Sequence, residues 1–146
     1  MIMEFQGVQP SIASDVFIAP SADIIGDVTI GEQSSVWFGC VIRGDVNSIT
    51  IGKRTSIQDL SMIHVTHFKK EDHSDGFATT IGNDVTIAHR VMLHGCTIED
   101  ACLIGMSATI LDGAIMVKSP SLEQIHSSQK TKFFPHNHSL WEILPK

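Results

Sequence analysis

Basic residues are scarce in this chain: 10 Lys and Arg stand against 16 Asp and Glu, a net charge of −6. That balance argues against nucleic acid and against an anionic membrane as partner, because both are gripped by clustered positive charge. No apolar run approaches the roughly 18 residues of a spanning helix, and no basic-plus-apolar leader is seen, so a cytoplasmic protein is expected. Cysteine is nearly absent. Cys40, Cys96 and Cys102 make an odd count with no CxxC pair, which excludes a disulfide framework and suits reduced thiols. What remains is ample for one domain: 146 residues, 42% hydrophobic, enough to bury a core.

What the chain does have is a period. Ile18, Ile24, Ile30, Val36 and Ile42 follow one another at steps of six. Ile51, Ile57 and Ile63 resume the step after three extra residues. Ile81, Ile87 and Leu93 resume it after a long gap, and Ile98, Ile104 and Ile110 after a one-residue slip. Six is neither the strand period of 2 nor the helix period of 3.6. It fits a short strand plus a tight turn, so that three units close one triangular coil. Coils then stack about 4.8 Å apart as parallel strands do, with the apolar marks in inward ladders. A sandwich of short strands would need turn signals every 8–12 residues instead. The reading is an all-β, parallel β-helix over residues 1–116. A polar loop is thrown out at about 66–79, where Ile63 and Ile81 stand too far apart for one face.

The period also places the polar residues. Let the face of Ile57 and Ile87 be A, that of Ile42, Ile63 and Leu93 be B, and that of Ile51 and Ile81 be C. Arg43, His64 and His94 each follow a B mark and form one column. Asp59 and His89 each fall two after an A mark and form a second column, with Gln58 beside Asp59. His64 and His94, one coil apart, can converge on one metal with bonds of about 2.0–2.1 Å. A convex corner separates His89 from them. If three prisms pack about a threefold axis, face A of one meets face B of the next, and a neighbour's His89 completes a three-histidine site with an open position. Plainer roles stand beside this one: Arg43 and Asp45 as a structural ion pair, Gln58 and Asp59 as turn caps, Cys96 and Cys102 as core or corner residues. His67, His73, His126, His136 and His138 fall in loop or tail.

The stretches "RGDVNSITIG", "IQDLSMIHVTH", "VTIAHRVMLHGCTIED" and "LIGMSATILDGA" resemble the gamma-class carbonic anhydrase-like family of hexapeptide-repeat proteins over about residues 8–116. The resemblance implies a left-handed parallel β-helix, a homotrimer, and a metal held by His64 and His94 of one subunit and His89 of its neighbour. Zinc is the usual metal, with iron or cobalt possible. The implied reaction is reversible hydration of carbon dioxide to bicarbonate by metal-bound hydroxide. Gln58 would orient the water or the substrate, and Arg43, Asp45 and Asp59 would form the network around the metal. Two positions depart from the family's established enzymes. Val46 stands where a glutamate follows the aspartate, and His67 stands where an acidic proton shuttle sits; a histidine can shuttle protons near neutral pH. Two alternatives are kept: a hexapeptide-repeat acyltransferase of the acetyl-CoA type, and a metal-binding trimer with little or no activity.

Near Met116 the period ends, and residues 117–146 form an atypical tail, irregular or partly helical. Deleting one T from ATT GGT AAA turns Ile-Gly-Lys into ATG GTA AA, which begins Met-Val-Lys, as at Met116 to Lys118. Read one base out of register, the tail can encode a fresh unit, V-I-G-A-D-S. The tail is therefore expected to arise from a single-base deletion. All the candidate site residues precede it. The last coil is expected to expose apolar residues such as Ile110 and Ile115.

Overall fold

The computed structural model describes residues 1–72 and 74–118. Among them all regular structure is strand, paired in parallel. The inward marks stack in three ladders. On face A, Ile18, Val36, Ile57, Ile87 and Ile104 are in register. On face B the ladder is Ile24, Ile42, Ile63, Leu93 and Ile110. On face C it is Ile12, Ile30, Ile51, Ile81, Ile98 and Met116. This is the left-handed parallel β-helix of hexapeptide repeats. Its largest fully buried side chains are isoleucines and Leu93. Branched side chains suit short, flat, half-buried strands, and each contributes about 1.5–3 kcal/mol on full burial.

The corners explain the step. Two of the three corners place a residue in the left-handed region three positions after the mark. From C to A these are Gln33, Arg54, Asp84 and Ala101, and from A to B they are Gly39, Leu60, Arg90 and Ser107. The next residue turns inward. Ser34 and Thr55 donate to the Gly52 and Gly82 carbonyls at 2.8 Å, and Ser61 donates to Ala88 at 3.0 Å. Buried hydroxyls thus find carbonyl partners one coil on. Cys40, Cys96 and Cys102 also point inward, unpaired and buried. Burial pushes the Cys96 thiol up to about 11, which makes it a core group rather than a reactive one.

The third corner, from B to C, is irregular. Strand Val41–Ile51 rounds it continuously. There the pairing jumps from Gly26↔Gly44 to Val28↔Ile49, so three extra residues bulge out. The loop after His64 leaves the same corner. Thr66 and Phe77 pair across its neck, and the strand Thr79–Ile81 re-enters face C. At the C-terminal end one expectation needs correction. Ile110 is buried in the face-B ladder, and Ile115 is half-buried. The inward residue of the last coil is Met116, in register with Ile98 and 5% exposed. Its unbranched side chain occupies the place of an isoleucine. The shape and origin of the tail beyond Lys118 lie outside the described residues. Among those residues no helix is long and apolar enough to cross a membrane.

Candidate metal centre

The face-B column forms as the step requires. His64 and His94 are register partners on strands Met62–His64 and Met92–His94, and their rings stand 5.0 Å apart, edge to face. His64 Nδ1 lies 3.1 Å from His94 Nε2. The other nitrogen of each ring meets a carboxylate. His64 Nε2 is 2.9 Å from Asp45 Oδ1, and His94 Nδ1 is 2.6 Å from Asp112 Oδ1. Carboxylates accept and do not donate, so each places the ring proton on its own side. The lone pairs of His64 Nδ1 and His94 Nε2 are then left facing one another. Two acceptors at this distance need positive charge between them, either a shared proton or a metal ion. Two nitrogens on one tetrahedral ion with bonds of about 2.1 Å stand roughly 3.4 Å apart, close to the separation seen. A carboxylate behind each imidazole is also the usual support of a metal-ligating histidine.

Asp45 reaches His64 because of the bulge. It sits in the three-residue excess of strand Val41–Ile51, where Arg43 also binds its carboxylate. Burial pushes the Asp45 carboxyl up. The hydrogen bonds from His64 and Arg43 outweigh that and hold it below the ordinary carboxylate value. Asp112 behaves alike: burial raises it, and bonds from Thr66 and His94 bring it below the ordinary value. Thr66 Oγ1 donates to Asp112 Oδ2 at 2.6 Å, and Asn47 Nδ2 donates to the Thr66 carbonyl at 3.1 Å.

The face-A column stands apart. His89 Nδ1 is 3.0 Å from Asp59 Oδ2, one coil below, and both are partly open to solvent. Gln58 lies beside them, its backbone N–H donating to the Ile87 carbonyl at 2.9 Å. Among the described residues of one chain, no three His, Cys, Asp or Glu side chains converge on a single point. The chain brings together Arg43, Asp45, His64 and His94 on one face, and Gln58, Asp59 and His89 on the next. His67 is exposed at the loop's start, its Nδ1 3.4 Å from the Val46 carbonyl. The sequence reading missed Asp112 and Thr66. Asp112 opens an Asp-Gly pair and reads as an ordinary turn. Its one distinguishing sign was a place two after a B mark, next to the His94 column.

A family model described as "Bacterial transferase hexapeptide (six repeats)" matches residues 10–44. "Gamma carbonic anhydrase 2, mitochondrial" of Arabidopsis thaliana is 50% identical over 109 residues, 75% of this chain and 38% of that one. "Probable carbonic anhydrase" of Methanocaldococcus jannaschii is 50% identical over 99 residues, 68% of this chain and 57% of that one. The chain thus spans about two-fifths to three-fifths of the length of these curated relatives. The crystal structure of a hexapeptide transferase family protein from Anaplasma phagocytophilum superposes with a TM-score of 0.59 at 33% identity, covering 78% of this chain and 76% of that one.

Proposed function

The chain belongs to the gamma carbonic anhydrase-like proteins of the hexapeptide-repeat family, and from that premise we propose that it is a metalloprotein interconverting carbon dioxide and bicarbonate at sites shared between the subunits of a homotrimer. One observation carries the reading: the facing nitrogens of His64 and His94, 3.1 Å apart, each ring backed by a carboxylate. His89, too far round the prism to join them, is the third ligand and comes from the neighbouring subunit. Zinc is the metal of choice for three imidazoles, with iron or cobalt as substitutes. A transition metal held there would act as a Lewis acid and make hydroxide available near neutral pH.

The chain's own residues prepare that site. Asp45 fixes the ring of His64 so that its Nδ1 presents a lone pair. Arg43 offsets the charge of Asp45. Asp59 holds His89 by Nδ1, leaving Nε2 to point outward as a ligand. Gln58, on the same face, orients water or carbon dioxide. Val46 supplies no carboxylate for proton transfer, so His67, exposed at the loop, takes the proton to bulk. An acidic chain with three buried thiols fits a cytoplasmic location.

The test is a native mass spectrum of protein purified without chelator, followed by an assay of carbon dioxide hydration. A trimer with about three transition-metal ions, and hydration abolished by chelation, is the expected result. A metal-free monomer overturns the reading. Consumption of acetyl-CoA without hydration would assign the chain to the acyltransferases, and a metal-loaded trimer without either activity would make it a binding protein.

A further inference from the structure

Asp112 has no part in the reading drawn from the sequence, yet several features converge on it. It lies on the last described coil, between strands Thr109–Ile110 and Ile115–Met116. From there it reaches back one coil to His94 Nδ1 at 2.6 Å. Its second oxygen accepts from Thr66 Oγ1, also at 2.6 Å, so both oxygens of the carboxylate are engaged. Thr66 in turn is tied to Asn47 and to Phe77 at the loop's neck. The backbone makes room for this contact. Gly95 takes a φ of 56°, and a Cβ there would collide with Asp112 Oδ1 and with Phe77. The Gly113 N–H donates to the Gly95 carbonyl at 2.8 Å, which locks the height of Asp112 against the residue after His94.

We infer that Asp112 is the positioning residue for His94: it fixes the ring's proton on Nδ1 and its plane, so that Nε2 is aimed at the point His64 Nδ1 also faces. The inference rests on the metal-centre reading above and deepens it. The two ligands of one chain are supported unequally. Asp45, which backs His64, comes from the coil before it, whereas Asp112 comes from the coil after His94. The last described coil is therefore part of the metal site although it contributes no ligand. Thr66 is the relay that holds Asp112 in this posture and joins it to the loop.

The experiment is a titration of cobalt(II) into metal-stripped protein, read by its visible absorption bands and by affinity, with thermal melting of the metal-free forms alongside. The unsubstituted protein should bind cobalt and show bands of a low-coordinate site. Asp112→Ala should weaken binding about 10–100-fold and change the band shape, because the His94 ring is free to turn. Asp112→Asn keeps an acceptor for Nδ1–H and should recover much of the loss. Thr66→Val should act in the same direction as Asp112→Ala, but less. Metal-free melting at neutral pH should fall only slightly for Asp112→Ala, which loses its bonds to Thr66 and His94, and far less than the loss of cobalt affinity would require, which separates aim from folding. If the unsubstituted protein binds cobalt and Asp112→Ala and Thr66→Val bind it equally well with unchanged bands, the positioning role is overturned while the metal site stands. If the unsubstituted protein shows no cobalt bands, the metal-centre reading falls and this inference with it.

Discussion

Passages from face C to face A and from face A to face B each take six residues, as from Ile30 to Val36 or from Ile57 to Ile63. Passages from face B to face C take six (Ile24 to Ile30), nine (Ile42 to Ile51), eighteen (Ile63 to Ile81), five (Leu93 to Ile98) and six again (Ile110 to Met116). From Ile30 onward the regular corners are built from one left-handed residue and one small inward residue, and every one of them takes six. The irregular corner holds Asp45 on its bulge, Thr66 at its loop, Gly95 at its contraction and Asp112 on its last turn. The residues that support His64 and His94 therefore lie where the chain is free to change length. The Asp59–His89 pair is the instructive exception. It sits at a regular corner, and straight stacking alone brings its two groups together, 3.0 Å apart. Contact within a column needs only straight stacking, whereas the carboxylates that meet His64 and His94 stand one or two places off that column, at the corner where the step varies.

Four measurements sharpen that contrast. The largest effect belongs to the regular interior. Leu93→Ala empties a fully buried place in the face-B ladder and should cost about 2–5 kcal/mol in denaturant unfolding. Next, removal of Val46, Asn47 and Ser48 restores a six-residue step at the irregular corner. Zinc affinity by calorimetry should fall about 10–100-fold while the prism's circular dichroism is kept; retention of full affinity would break the link between the bulge and the site. The third concerns acid. Asp45 and Asp112 both lie below the ordinary carboxylate value of 3.8. A depressed native value means that their stabilisation is complete above 3.8 and is lost as the pH falls below it. In metal-free protein the paired substitution Asp45→Asn and Asp112→Asn should flatten the fall of melting temperature on acidification. The smallest effect is at a regular corner. Asp84→Asn removes the exposed ion pair with Arg54, 2.6 Å, but asparagine accepts the left-handed backbone. Melting should hardly move, since such exposed pairs contribute little.

The ladders were legible because a six-residue period maps directly onto faces. Naming Ile42, Ile63 and Leu93 as one face was enough to predict that His64 and His94 would stack. The separation of His89 from them followed from the same geometry, and so did the outward loop between Ile63 and Ile81. Asp112 was illegible for a physical reason. Its contact with His94 runs between coils through a side chain, and its aim depends on Gly95 lacking a Cβ and on Thr66 occupying its other oxygen. The period gave only Asp112's place, two after a B mark, and not its aim. The end of the ladder was expected to expose Ile110 and Ile115, but Ile110 is buried and Ile115 half-buried, because Met116, six after Ile110, extends face C and its flexible thioether fills the position.

The strict corners have a consequence for how such a chain can change. Three residues too many, twelve too many and one too few have all been admitted at the B–C corner, and each time the next isoleucine returns in phase on face C. The two invariant corners act as a clock that is reset on every turn, so an irregularity leaves no echo one face later. Length variation is thereby uncoupled from the frame that carries it. New segments could be grafted between Thr66 and Phe77 with the stacking of every later coil undisturbed, whereas a single residue added after Ile57 or Ile81 would put all that follows out of time.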